Sequence, residues 1–181
     1  SVQEATIVID LKKGNDIGVG RETTLEYSVK IAGSIARFLM DSGAFVQIIG
    51  YTKEVMAVPF GKGESHVYKV LEYLASVRSE GIFTLSETLE EASFVTTYSS
   101  TLITIMLDND MDDLSSLVQF KIKGIKLIVV VLSSSTFGHT EARKYLDIED
   151  AKKFDEALAG LEAYVYRISK GDDLGKKFEM V

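Results

Sequence analysis

Cysteine is absent from this 181-residue chain, and proline occurs once, as Pro59. Without cysteine there is no disulfide framework and no thiolate metal site, which suits a reducing compartment and points to a cytoplasmic domain. Histidine is scarce: His66 and His139 are the only two, so most acid–base and nucleophilic schemes lack their usual base. No apolar stretch approaches the ~18 residues that would span a bilayer. The longest runs, 102–107 and 127–132, are of strand length. A signal-peptide pattern is missing, and so is a basic stripe. The net charge is −7, with acids and bases spread along the chain, which argues against a nucleic-acid partner. Neither repeat, low-complexity tract nor linker divides the sequence, so residues 1–181 are expected to form one domain. The chain opens at Ser1 rather than methionine and enters a strand pattern almost at once; we therefore expect a piece of a longer protein.

What is present is ordinary for a globular chain: 46% apolar and 26% charged residues, enough to build a core. The patterns alternate. Residues 5–9 (ATIVI) form a continuous β-branched run typical of a strand buried on both faces. Residues 22–41 read as a helix through Leu25, Val29, Ala32, Ala36 and Leu39, widened by Ile31, Ile35 and Phe38 and stopped by Gly43. Strands at 45–51 and 54–60 are joined too tightly for anything but an antiparallel hairpin, and Pro59 marks the second as an edge. Helices follow at 64–79 and 85–94, a strand at 101–107, a helix at 112–121, a strand at 125–132, an amphipathic helix at 148–161 and a strand at 163–168. Residues 172–178 suggest a terminal helical turn.

Such alternation predicts a three-layer, doubly wound α/β fold with a mostly parallel six-stranded sheet in the order 3-2-1-4-5-6 and one antiparallel edge strand. In that order the switch point lies between the first strand and strand 101–107. The loops leaving those strands begin at Asp10 and Asp108, so two carboxylates should meet in one crevice.

Other candidate motifs fail on inspection. The acidic run from Asp108 to Asp113 would need glycine and glutamate at the sixth and twelfth positions of an EF-hand loop, but Asp113 and Gln119 stand there. Helix capping is the expected role of Asp110, Asp112 and Asp113. Gly14, Gly18 and Gly20 satisfy no phosphate-loop spacing; a flexible loop with Thr23 or Thr24 at the helix start is expected instead. His66 is expected on a helix surface, and His139, within TFGHTEARKY, near the crevice without a visible nucleophile to serve. Ser133, Ser134, Ser135 and Thr136 read as loop residues, and Phe137 and Tyr145 as either exposed contacts or packing.

Several segments taken together carry a resemblance: IVIDLKKG, GRETTLEYSVKIAGSIARFL, VQIIGYT, PFGKG, KVLEYLASV, TIMLDND and KGDDL. Their order and spacing resemble the domain-of-unknown-function 58 family, whose members look like von Willebrand factor A domains. The resemblance implies a Rossmann-like fold, a membrane-anchored parent chain and a gene neighbour encoding a MoxR-type AAA+ ATPase. It also implies a metal-ion-dependent adhesion site with the pattern D-x-S-x-S, a later Thr and a later Asp. Asp10, Thr84 and Asp108 match three of those positions, but Lys12 and Gly14 replace the two serines. Gly14 offers no side-chain oxygen and Lys12 brings a charge that repels Mg²⁺. Lys12 is then either a cation standing in for the metal between two carboxylates or a solvated loop lysine.

The expectation is a non-enzymatic protein-interaction module with a degenerate adhesion site, a binding crevice of Asp10, Lys12, Gly14, Thr84 and Asp108, and no cofactor. If an ion binds, it is Mg²⁺ on Asp10, Thr84 and Asp108. The alternative is a metal-dependent enzyme or ligand-binding domain acting on a small phosphorylated molecule.

Overall fold

The computed structural model describes residues 2–52, 55–138 and 148–178. Its centre is a six-stranded sheet. In chain order the elements are β1 (Glu4–Ile9), β2 (Gly18–Val19), β3 (Glu22–Thr23), α1 (Thr24–Asp41), β4 (Phe45–Tyr51), β5 (Val55–Gly61), α2 (Glu64–Ser76), α3 (Leu85–Ser93), β6 (Thr101–Leu107), α4 (Met111–Ile122), β7 (Lys126–Leu132), α5 (Ile148–Gly160), β8 (Tyr164–Ile168) and α6 (Leu174–Phe178). The sheet runs β5-β4-β1-β6-β7-β8, the expected doubly wound order. All neighbours are parallel except β4 and β5, which form the expected hairpin. Pro59 accordingly lies on an edge strand, where its missing N–H costs no ladder bond.

The central strands are apolar on both faces because both faces are covered. Ile7 and Ile9 of β1 pack into one core with α1 and α2, while Val8 packs into the other with α3, α4 and α5. All seven residues of β6 are buried. Among the described residues, no helix is long and apolar enough to cross a membrane.

Local chemistry sets the helix ends. α1 begins at Thr24, not at residue 22, because Glu22–Thr23 pairs with Gly18–Val19 in a small ribbon. Thr23 then caps the helix, its hydroxyl accepting from the Glu26 N–H. At the other end Gly43 adopts φ +89° and its N–H donates to the Met40 carbonyl, the expected glycine stop. α2 ends at Ser76 instead of 79 because residues 79–81 are drawn into a different seam, described below.

His66 departs from expectation. It is only 7% exposed, with Nε2 2.8 Å from the Val46 carbonyl oxygen. The ring lies against Gly61, where an added Cβ would come within 2.3 Å of Nδ1. The helical position of His66 put it on a surface; the glycine in β5 opened a slot that buries it.

Candidate functional site

The carboxyl ends of β1 and β6 lie side by side, with Ile9 opposite Ile105. Asp10 follows β1 at once. Its Oδ1 accepts from the Lys12 N–H at 3.0 Å and its Oδ2 from Asn15 Nδ2 at 2.7 Å. Asn15 is fixed in turn, its carbonyl accepting from the Thr24 hydroxyl at the start of α1. The loop is also stitched to the segment that precedes α3. Lys13 N–H donates to the Gly81 carbonyl, Gly81 N–H to the Leu11 carbonyl, and the Ser79 hydroxyl to the Lys12 carbonyl. Only glycine fits at 81, since a Cβ there would lie 2.3 Å from the Tyr51 carbonyl oxygen. Burial pushes the Asp10 carboxyl up from its usual pKa, against the opposing pull of these hydrogen bonds and the Lys12 charge. The cleft behind Asp10 is tiny, about 10 Å³, room for about one water.

Asp108 ends β6 on the same edge but is tied elsewhere. Its Oδ1 accepts from both the N–H (3.1 Å) and the hydroxyl of Ser134, just beyond β7. Arg167 of β8 approaches its Oδ2 at 3.5 Å while also bonding Asp155 of α5. Ser134 follows β7 and Arg167 lies on β8, so Asp108 anchors the far half of the sheet.

Thr84 is the N-cap of α3. Its hydroxyl accepts from the Glu87 N–H at 3.1 Å, and the Glu87 carboxylate bonds back to it, a complete capping box. Asp110 caps α4 in the same way, accepting from the Asp112 N–H at 2.9 Å. Asp113 behaves differently. It is 4% exposed, wedged between α4 and α3, and accepts from the Ser86 N–H at 3.0 Å. Burial first, then the charges of Asp110 and Asp10, push its pKa up to about 7. The carboxylates that repel one another at this edge are therefore Asp10, Asp110 and Asp113. Beside Asp110 an open polar groove of about 550 Å³ runs between α3 and α4, lined by Thr84, Glu87, Glu90, Asp110 and Asp112 among others but not by Asp10 or Asp113.

The structure thus brings Asp10, Lys12, Gly14, Thr84 and Asp108 to one edge of the sheet, but gives each its own partners. Lys12 is half-buried and acts on Asp10 through its charge. Gly14 has φ +92°, a conformation that serine adopts only under strain. As placed, the side-chain oxygens of the three matching positions all have protein partners. Both oxygens of Asp10 are already engaged, Thr84 is committed to its cap and Asp108 to Ser134 and Arg167. Among the described residues, no three Asp, Glu or His side chains stand where they could hold a metal.

Sequence reasoning missed Asn15, Ser79, Gly81, Ser134 and Arg167, which build the edge. Ser134, read as ordinary loop chemistry, is 2% exposed. Asp113, read as a helix cap, is buried because α3 lies over it. Phe137 packs at 4.8 Å edge-to-face on Tyr27. His139 and Tyr145 lie outside the described residues.

No protein-family model matches the chain, and no curated protein matches it. Among solved structures it is similar to the conserved hypothetical protein BatB from Bacteroides thetaiotaomicron, at TM-score 0.65 and 14% identity, over 98% of this chain and 95% of that one. It is also similar to the manganese-loaded TRAP protein of Plasmodium vivax, at TM-score 0.52 and 14% identity, over 93% of this chain and 68% of the other. At such identity the likeness establishes the fold, which is von Willebrand factor A-like.

Proposed function

We propose that this domain is a non-enzymatic protein-interaction module of the domain-of-unknown-function 58 type, with a degenerate adhesion site. The observation that carries this reading is the internal satisfaction of the three matching positions: Asn15 and the Lys12 N–H on Asp10, the Glu87 box on Thr84, and Ser134 with Arg167 on Asp108. A site of this kind holds its loops in place without an ion. The cleft behind Asp10 is far below the ~300 Å³ of a typical small-molecule site, which counts against turnover of a phosphorylated metabolite at Asp10.

The rim of the edge supplies contact surface. Val19 on the β2–β3 ribbon is 87% exposed, Ile82 beside the Gly81 seam 73%, and Met111 at the start of α4 42%. Exposed apolar side chains around a rigid polar centre suit a protein partner. By the resemblance carried in the sequence, that partner is an AAA+ ATPase of the MoxR class, met on the cytoplasmic side by a parent chain that is membrane-anchored.

The test is binding of the domain to a purified MoxR-type ATPase by biolayer interferometry, with and without EDTA. Binding should be insensitive to EDTA and fall at least tenfold in Ile82→Asp or Val19→Asp, the loss typical of a central apolar anchor. Absence of binding refutes the partner; binding abolished by EDTA refutes the ion-free site. Phosphatase turnover lost in Asp10→Asn would replace the reading with an enzyme.

A further inference from the structure

The two faces of the sheet are covered unequally. Three helices, α3, α4 and α5, pack on one face, whereas the other has α1 and α2 over β4, β1 and β6, and only the five-residue α6 beside β8. Among the described residues, β7 and β8 are fully covered on the α1 side only toward their carboxyl ends, at Val130, Leu132 and Ile168; Ile128 and Tyr166 stay part-exposed. The result is a groove of about 480 Å³, within the ~300–1,000 Å³ range of ligand sites. Its floor is Ile103, Ile128 and Tyr166, one wall is Ile31, Ile35 and Phe38 of α1, and the other is Leu174 and Phe178 of α6. Phe38 stands 64% exposed on the rim, and Tyr166 meets Phe178 with ring centroids 5.3 Å apart.

The polar groups sit at one end. Thr101 and Lys126 are the first residues of β6 and β7, paired in register, and both line the groove at the amino end of the sheet. Among the described residues Lys126 enters no ion pair; its Nζ rests 4.7 Å from the centre of the Tyr164 ring. An apolar trough whose mouth carries one lysine, without an ion-pair partner among the described residues, is complementary to a molecule with one long hydrocarbon tail and one negative charge. A lysine stem lies well along apolar surface while its ammonium reaches outward to an anion.

We propose that this groove binds a free long-chain fatty acid, its chain along Ile103, Ile128 and Tyr166 and its carboxylate on Lys126 with the Thr101 hydroxyl beside it. The site lies at the end of the sheet opposite Asp10 and is independent of the protein-binding reading. Burying the chain removes apolar surface from water on both partners, which favours binding. The lysine favours an anionic headgroup over a neutral one, because an ammonium–carboxylate hydrogen bond carries charge on both partners.

The experiment is a fluorescence titration of the whole chain with dansyl-undecanoic acid, competed with palmitate and with dodecanol. One saturable site is expected. Lys126→Glu should weaken the dansyl acid roughly tenfold to a hundredfold, the range for loss of a charged hydrogen bond, and leave dodecanol competition unchanged. Ser34→Phe, which fills the groove from α1 without altering charge, should abolish both. Thermal melts of both variants show that they fold. No saturable binding to the wild type overturns the proposal. Equal affinity in Lys126→Glu also overturns it, and marks the groove as a seat for an uncharged apolar segment of a protein. Undiminished binding in Ser34→Phe places the fatty acid elsewhere.

Discussion

Replacing Asp113 by Asn tests the electrostatics of the carboxyl edge directly. Asp113 ionises at about 7 in the fold against an ordinary value of 3.8. Its charge is opposed by burial and by Asp110, Asp10 and Asp112, and favoured only by the Ser86 N–H. Between pH 4 and 7 the native state therefore keeps a proton that the unfolded chain has released. Stability that is complete below pH 4 is lost as pH rises through 7. At about 1.4 kcal/mol per pH unit the gap amounts to roughly 4 kcal/mol. Asparagine keeps the oxygen that accepts from Ser86 and carries no charge to bury. Asp113→Asn should thus match the wild type near pH 4 and gain stability steadily up to pH 7. Above pH 7 the gain levels off near 4 kcal/mol, or about 10 °C in Tm for a chain of this size. Urea melts at four pH values between 4 and 8.5 measure it. A variant less stable than wild type at pH 8.5, or a gain that does not change with pH, would refute the reasoning.

Four other variants probe the same edge and the core beneath it. Gly81→Ala forces a Cβ to within 2.3 Å of the Tyr51 carbonyl and 2.8 Å of the Leu11 carbonyl; a loss of roughly 1–3 kcal/mol is expected, as for other overpacked positions, together with faster amide exchange at Lys13 and Gly81. Thr84→Ala removes one half of the α3 capping box and should cost about 1 kcal/mol in a denaturant melt without altering any metal response. Phe120→Ala empties a fully buried position between α4 and the sheet and should cost about 3–5 kcal/mol. In the double variant Lys12→Ser, Gly14→Ser, calorimetry with Mg²⁺ should detect no micromolar binding, since Asp10 keeps both hydrogen bonds and position 14 keeps its left-handed backbone; binding that depends on Asp10 would show that the loop can relax into an adhesion site.

Much of the fold could be read from local pattern. Continuous apolar runs at β1, β6 and β7 required a sheet covered on both faces, and the tight link between β4 and β5 required a hairpin. With right-handed crossovers, few strand orders remain, and the observed one followed. Helix ends were legible where a single residue type decides them, as at Gly43, and displaced where a distant segment intervened. Residues 77–79 look like the last turn of α2 in a one-dimensional reading, yet Ser79 belongs to the seam that fixes the Asp10 loop. No local signal records a hydrogen bond to a residue 67 positions away, as between Ser79 and Lys12.

The candidate site divides along the same line. That Asp10 and Asp108 end adjacent strands was determined by the sequence, because strand period and topology leave the chain no alternative. So was the presence of Lys12 and Gly14 in the loop after β1, which is a matter of residue type. What each carboxylate binds was decided only in three dimensions. Asp108 turns to Ser134 and Arg167 because β7 and β8 deliver them to its side of the edge, and Asp113 is buried because α3 packs over α4. His66 is buried for the same reason, by a glycine on another strand. The groove beside β7 and β8 is likewise a property of packing: each strand is apolar enough to be covered, but only the assembled layers show that, among the described residues, Ile128 and Tyr166 stay part-exposed.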